Sequence, residues 1–332
     1  MPSSSPDPVP VPATAAAAGT TPGRDLFAPL MAAARLLPAL PTAVAHPCSE
    51  AALQAAHEAA LDGLIVPILV GPVGRLRALA AGLGIDLSAY RVVDVPHSHA
   101  AAAAAVALVR AGEAELLMKG SLHTDELLEA VVDRELGLRT GRRLSHVFLM
   151  DVPAYPKLLM ITDAAINIVP DLETKRDICQ NAIDLARAIG LARPKVAILS
   201  AVETVNPKMP STTDAASLCK MADRDQITGG VLDGPLAMDN AISAEAARVK
   251  GIRSEVAGDP DVLLMPDLEA GNILAKQLTF MAGADAAGVV LGARVPIVLT
   301  SRADNVRARL ASCAVALLLA HARRAAAGRA IA

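Results

Sequence analysis

The chain of 332 residues has no tryptophan, three phenylalanines and two tyrosines. A core without large rings must be filled by Leu, Ile, Val and Ala, which suits helices packed on a parallel sheet. The lack of aromatics also removes the stacking surfaces that single-stranded nucleic acid needs. The formal net charge is −3, so no global positive field favours a nucleic-acid partner, and an anion must be held by local Arg and Lys. Four cysteines (Cys48, Cys179, Cys219, Cys313) form no C-x-x-C and have no histidine at metal spacing. They read as isolated thiols in a reducing compartment, with no metal. The longest apolar runs, near Leu310–Ala322 and Ala100–Val109, fall short of the roughly 20 residues of a membrane span.

Several motifs are missing as well. There is no G-x-x-x-x-G-K-[ST], no G-x-S-x-G and no H-E-x-x-H, and Gly71-Pro-Val-Gly74 is not a dinucleotide fingerprint. Residues 1–24 are rich in Pro, Ser, Ala and Thr without the charged start and apolar core of a signal peptide, so a disordered tail is expected. His97-Ser98-His99 reads as loop. The expectation is a cytoplasmic protein with no membrane partner.

What is present is βα alternation. Strand-like runs occur at Leu64–Val70, Glu115–Met118, Val147–Met150, Leu158–Thr162, Val196–Leu199, Val262–Met265, Ala287–Leu291 and Ile297–Leu299. Helical patterns intervene, as at Lys175–Ile189, and a long loop is predicted after Leu199. Alternation of this kind predicts a doubly wound α/β architecture, in two domains or one bilobal unit, with ligands beyond the carboxyl ends of the strands.

Polar clusters fall at those ends. Ile297–Leu299 runs into Thr300-Ser301-Arg302-Ala303-Asp304 and then an apolar-periodic stretch. A helix entrance there would present free N–H groups and a positive dipole end to an anion, with Arg302 as a planar clamp. Ser301-x-x-Asp304 also fits a capping box. Lys119-Gly120-Ser121-Leu122-His123-Thr124 is either a phosphate-binding turn or a solvated Lys beside a helix capped by Ser121 or Thr124. Arg139, Arg142 and Arg143 either bind phosphates or form a solvated turn. Asp233-Gly-Pro-Leu-Ala-Met-Asp-Asn240 and Pro266-Asp267-Leu-Glu-Ala-Gly271-Asn272 each place an acid at a turn before a helical pattern. Asp163 and Asn167 follow another strand.

In this order these segments resemble the phosphate acetyl/butyryl transferase family, from about Leu26 to the C-terminal helix. The resemblance implies a bilobal fold similar to isocitrate and isopropylmalate dehydrogenases. A first lobe would comprise residues 25–143 with 295–332, and a second 144–294. It implies transfer of an acetyl or butyryl group from coenzyme A to phosphate, with CoA as substrate rather than tightly bound cofactor, in a homodimer. Ser301, Arg302 and Asp304 become catalytic candidates; Lys119, Gly120, Thr124, Arg142, Arg143, Asp267, Gly271 and Asn272 become substrate-binding ones. Acetyl enzymes carry Ser-Arg-Gly and an acid seven residues after the Ser. This chain has Ser-Arg-Ala and Ala308, a pattern more similar to the butyryl branch, as is Ser200–Pro207. Two other readings compete: a metal-dependent dehydrogenase using Asp233, Asp239 or Asp267, and a non-catalytic paralogue that binds CoA.

Overall fold

The computed structural model describes residues 24–299 and 305–331. The chain enters through α1 (Ala28–Arg35), β1 (Leu40–Ala45), α2 (Glu50–Leu61), β2 (Ile65–Gly71) and α3 (Val73–Leu83). It continues through β3 (Arg91–Asp94), α4 (Ser98–Arg110), β4 (Leu116–Lys119) and α5 (Thr124–Val132). Then come β5 (Ser145–Asp151), β6 (Leu159–Thr162), α6 (Leu172–Ala188), β7 (Lys195–Leu199) and α7 (Pro210–Asp223). Next are β8 (Val231–Leu236), α8 (Met238–Ile242), α9 (Ala244–Val249), β9 (Val262–Leu264) and α10 (Leu268–Met281). The last elements are β10 (Asp285–Leu291), β11 (Ile297–Val298) and α11 (Val306–Ile331).

Among the described residues the strands form one sheet in the order β3-β2-β1-β4-β11-β10-β5-β6-β9-β7-β8. The first five are mutually parallel, as are the last four. Three antiparallel steps, through β10 and β5, separate the blocks, so the blocks run in opposite directions. The α/β expectation thus holds, with helices on the sheet. Central strands such as β4 are buried on both faces, which is why they read as continuous apolar runs rather than alternating ones.

α11 is longer than the sequence suggested. Val306–Ala327 has the length and apolarity of a membrane span. Here its residues 311–317 are all buried, against α1, α2, α6 and β10. A helix that is apolar all round belongs to a core when neighbours cover it. Asn305 Oδ1 accepts the Ala308 N–H at 2.8 Å; the capping box expected at Ser301–Asp304 lies outside the described residues.

Three further local readings change. The loop predicted after Leu199 contains α7, opened by a proline in its first turn, where the missing N–H costs nothing. Asp233-Gly-Pro-Leu236 lies inside β8 and not at a helix entrance. β8 is an edge strand, where a proline is tolerated. A Cβ on Gly234 would come within 2.8 Å of Ile198 Cβ and O, so the close strand approach requires glycine. His97-Ser98-His99 opens α4, with His97 Nδ1 accepting the Ala100 N–H at 3.2 Å.

Candidate active site

The carboxyl ends of β1, β2 and β4 surround a cavity of about 520 Å³. Its polar lining is His46, Ser49, Arg75, Lys119, Ser121 and Arg309. Each is brought there by a different element. Lys119 ends β4 and is only 7% exposed. Gly120 follows because the chain passes close to the end of β1: its N–H donates to Ala45 O at 2.9 Å, and a Cβ would sit 2.4 Å from that oxygen. His46 adopts a positive φ of 53° to turn the chain out of β1. Ser121 then ties the two loops, its hydroxyl donating to His46 O at 2.8 Å and accepting the Cys48 N–H at 3.2 Å. Ser49 caps α2 by accepting from Ala52 N, so that helix directs its positive end at the cavity. Arg75 comes from the first turn of α3, and Arg309 from α11, where its guanidinium also donates to Ala51 O at 3.1 Å.

The electrostatics of this cavity are those of an anion site. Three basic side chains and a helix N-terminus converge in it, and no acid lines it among the described residues. Burial, and then the neighbouring Arg75 charge, lower the His46 pKa, which favours a neutral imidazole. Burial raises the Cys48 thiol, which therefore stays protonated and is a poor nucleophile.

On the other side of the first turns of α11 lies a second cavity of about 470 Å³, with a mainly apolar lining. Phe148 and Ala286 contribute from the sheet, with Asp285 beside them; Ala275, Lys276, Thr279 and Phe280 come from α10, and Asn305 and Ala308 from the start of α11. Phe148 stacks edge-on against His146, with ring centroids 4.3 Å apart. His146 is fully buried, and that burial lowers its pKa to about 4.

The expected site residues divide. Lys119 and Gly120 line the basic cavity. Thr124 is the first residue of α5 and does not line it, and neither Thr124 nor Ser121 caps that helix; His123 holds the cap position without a side-chain bond. Arg142 is paired with Asp184 at 2.5 Å. The Arg143 backbone is bound to Asp177 and Asn181, so both arginines belong to the α6 side of the molecule. Asp267 caps α10 through Ala270 N at 2.9 Å. Gly271 packs so closely on the Asp163 carbonyl that a Cβ would sit 2.5 Å away. Asn272 donates to Ala164 O at 3.0 Å and lines the apolar cavity. Asp163 is consumed by its own turn, accepting from the N–H groups of His146, Ala165, Ile166 and Asn167. Ser301, Arg302 and Asp304 lie outside the described residues.

Sequence reasoning did not find His46, Ser49, Arg75 or Arg309. Ser49 had a visible signal, a cap residue before the apolar-periodic run of α2. Arg75 and Arg309 are ordinary surface-helix arginines in sequence; only the fold aims them at one point. The acids of the dehydrogenase reading are not gathered. Asp233 lies in β8, Asp239 pairs with Lys250 and Asp267 caps α10. No group of three potential metal ligands occurs among the described residues.

One cavity is lined by basic side chains and the other mainly by apolar ones; comparison with known proteins adds the family. The sequence profile of the phosphate acetyl/butaryl transferase family matches residues 95–317. The chain belongs to that family. A phosphate acetyltransferase of Rhizobium meliloti is 68% identical over 297 residues, covering 90% of this chain and 94% of that one. A phosphate butyryltransferase of Clostridium acetobutylicum is 45% identical over 278 residues, covering 84% and 92%. The crystal structure of a branched-chain phosphotransacylase from Enterococcus faecalis superposes with a TM-score of 0.73 at 32% identity, covering 85% of this chain and 99% of that chain. Like other members of the family, this phosphate acyltransferase is a transferase acting on acyl groups. Its nearness to the acetyl relative does not follow the lean toward the butyryl branch that Ser-Arg-Ala-Asp suggested.

Proposed function

We propose that the chain passes a short acyl group from coenzyme A to phosphate by direct attack, with acetyl-CoA as the main donor and butyryl-CoA also accepted. The high identity to a phosphate acetyltransferase supports the first donor. The second follows because a pocket discriminates weakly between chains that differ by few methylenes. The observation that carries the reading is the basic cavity, where Arg75, Lys119, Arg309 and the α2 N-terminus converge.

A phosphate oxygen attacks the thioester carbonyl, and a tetrahedral oxyanion forms. The C–S bond then breaks, and the proton given up by phosphate ends on the CoA thiol. With a simple thiol pKa of ~8.5 the leaving group needs little help, so orienting phosphate matters more than acid catalysis. Arg302 holds phosphate, Ser301 donates to the oxyanion, and Asp304 orients phosphate or takes its proton. These three roles rest on the motif order. The protonated state of Cys48 supports a route without a thiol intermediate.

The same reading includes the lobes 25–143 with 295–332 and 144–294, which the pairing of β11 with β4 supports. Dimeric assembly is carried by the resemblance and a cytoplasmic location by the sequence composition; sedimentation would test the first. The direct test of function is CoA release from acetyl-CoA, with and without phosphate, in wild type and Ser301→Ala. Release should require phosphate and fall by about 100-fold or more in the variant. Undiminished release in Ser301→Ala would remove that residue from the mechanism. Absence of release from a folded, CoA-binding protein would instead favour a binding role.

A further inference from the structure

We infer that a third cavity, between the end of α6 and the C-terminal half of α11, binds a small organic dianion such as a dicarboxylate or a phosphate monoester. This site is separate from the basic cavity. Arg309 of α11 lines the basic cavity and Arg323 of the same helix lines the third one. At 1.5 Å per residue the two positions are about 21 Å apart along the helix.

The cavity measures about 480 Å³, within the range of roughly 300–1,000 Å³ typical of small-molecule sites. Two helices build it. α6 contributes Asp184 and Arg187, three residues apart and so on one helix face. α11 contributes Leu319, Ala322 and Arg323, at the i, i+3, i+4 spacing of one face. Leu191, in the turn after α6, closes the apolar wall. A bare inorganic ion would leave Leu191, Leu319 and Ala322 wet, whereas a short carbon skeleton would cover them.

The charge in this cavity is not balanced. The Asp184 carboxylate is already engaged: Oδ2 accepts from Arg142 at 2.5 Å and Oδ1 from the Gln180 amide at 3.0 Å. Neither Arg187 nor Arg323 has an ion-pair partner among the described residues. Arg323 makes one hydrogen bond, from Nη1 to Ala293 O at 3.3 Å, out of the five N–H donors a guanidinium carries. Burial lowers its pKa; Asp184 opposes that shift and Arg142 adds to it. A guanidinium still holds its proton under these conditions, so its desolvation is left without a compensating anion. Arg187 is seated as well as charged. Gly229 has a φ of 85°, and a Cβ there would come within 2.7 Å of Arg187 Nη1, so the glycine makes room for this side chain. Two planar forks from different helices thus converge on one space, which suits a ligand with two negative charges. The arginine-rich turn at residues 139–143 takes part indirectly, because Arg142 neutralises the acid that would otherwise repel the ligand.

The test is calorimetric titration of the full chain with succinate and with glycerol 3-phosphate, in wild type, Arg187→Ala and Arg309→Ala. At least one probe should bind the wild type, and which one binds distinguishes a carboxylate ligand from a phosphate ester. Arg187→Ala should weaken that binding about 10- to 100-fold, the scale of a lost charge-assisted contact. Arg187 is exposed, so the variant keeps its fold, and it should retain the wild-type kcat and KM for acetyl-CoA and phosphate. Arg309→Ala, on the basic cavity, should leave the binding of the probe unchanged. Absence of binding of both probes to the wild type overturns the site. So does equal binding by wild type and Arg187→Ala, or binding lost in Arg309→Ala, which would place the anion in the basic cavity. Phosphate-dependent CoA release is read separately, so any of these failures leaves the proposed function standing.

Discussion

The two cavities share one helix and almost nothing else. Ala308 and Arg309 are neighbours in α11, yet one faces Phe148 and Phe280 and the other faces Lys119 and Arg75. The basic cavity is assembled from the ends of parallel strands, where backbone turns are tight and Ser49, Gly120, Ser121 and Arg309 are held by hydrogen bonds. The apolar cavity lies where the antiparallel centre of the sheet meets α10, a helix that buries only Gly271 and Ala275. The contrast is one of construction: the basic groups stand on strand ends tied to each other by hydrogen bonds, while the apolar ones stand against a loosely covered helix.

The largest expected effect breaks the basic side. Gly120→Ala would drive a Cβ into Ala45 O and His46 O, at 2.4 and 2.5 Å. Because backbone cannot yield as a side-chain tip can, the loss should be about 3 kcal/mol, read as a lowered urea midpoint. A comparably stable variant would show that the two strand ends can separate.

Acid should break the apolar side next. His146 is held neutral by burial, with its pKa lowered from 6.5 to about 4. Between those values the unfolded chain binds the proton and the folded chain does not. Stability is therefore intact above pH 6.5, falls as pH drops toward 4, and levels below it, a loss on the order of a few kcal/mol. His146→Phe should flatten that limb in unfolding curves recorded from pH 7 to 4. An unaltered limb would assign it to other groups.

A smaller effect sharpens the comparison. Arg309→Ala should raise the KM for phosphate about 10- to 100-fold, as expected for a lost charge-assisted contact. It should leave the butyryl-to-acetyl ratio alone. A shift in that ratio would mean that the two sides of α11 are not independent. The smallest effect is ionic. Raising salt should weaken phosphate binding severalfold by screening, with little influence on chain preference. Equal sensitivity of both would count against the separation of the two cavities.

Much of this was legible in the chain. Leu64–Val70, Glu115–Met118 and Ile297–Leu299 fall within a residue of β2, β4 and β11, since strands covered on both faces read as continuous apolar runs. β1 was missed because Leu40-Pro-Thr-Ala-Val-Ala45 mixes alanine, proline and threonine. Its identity as a strand comes from neighbours β2 and β4 on both sides. In the site, Lys119 and Gly120 were found because a Gly after a basic strand end is a local signal. Arg142 looked equivalent in sequence but is neutralised by Asp184 on α6, a partner that spacing cannot announce.

The sequence by itself determined the α/β class, the family and the order of its motifs, because alternation, turn chemistry and capping are short-range properties. Tertiary structure alone decided which polar residues meet. β11 enters between β4 and β10, and only that insertion brings Arg309 to Lys119 and Ala308 to Phe148. A pattern along a strand or helix fixes which way a side chain points. What it points at depends on strand order, and strand order is settled by long-range pairing that no local window contains.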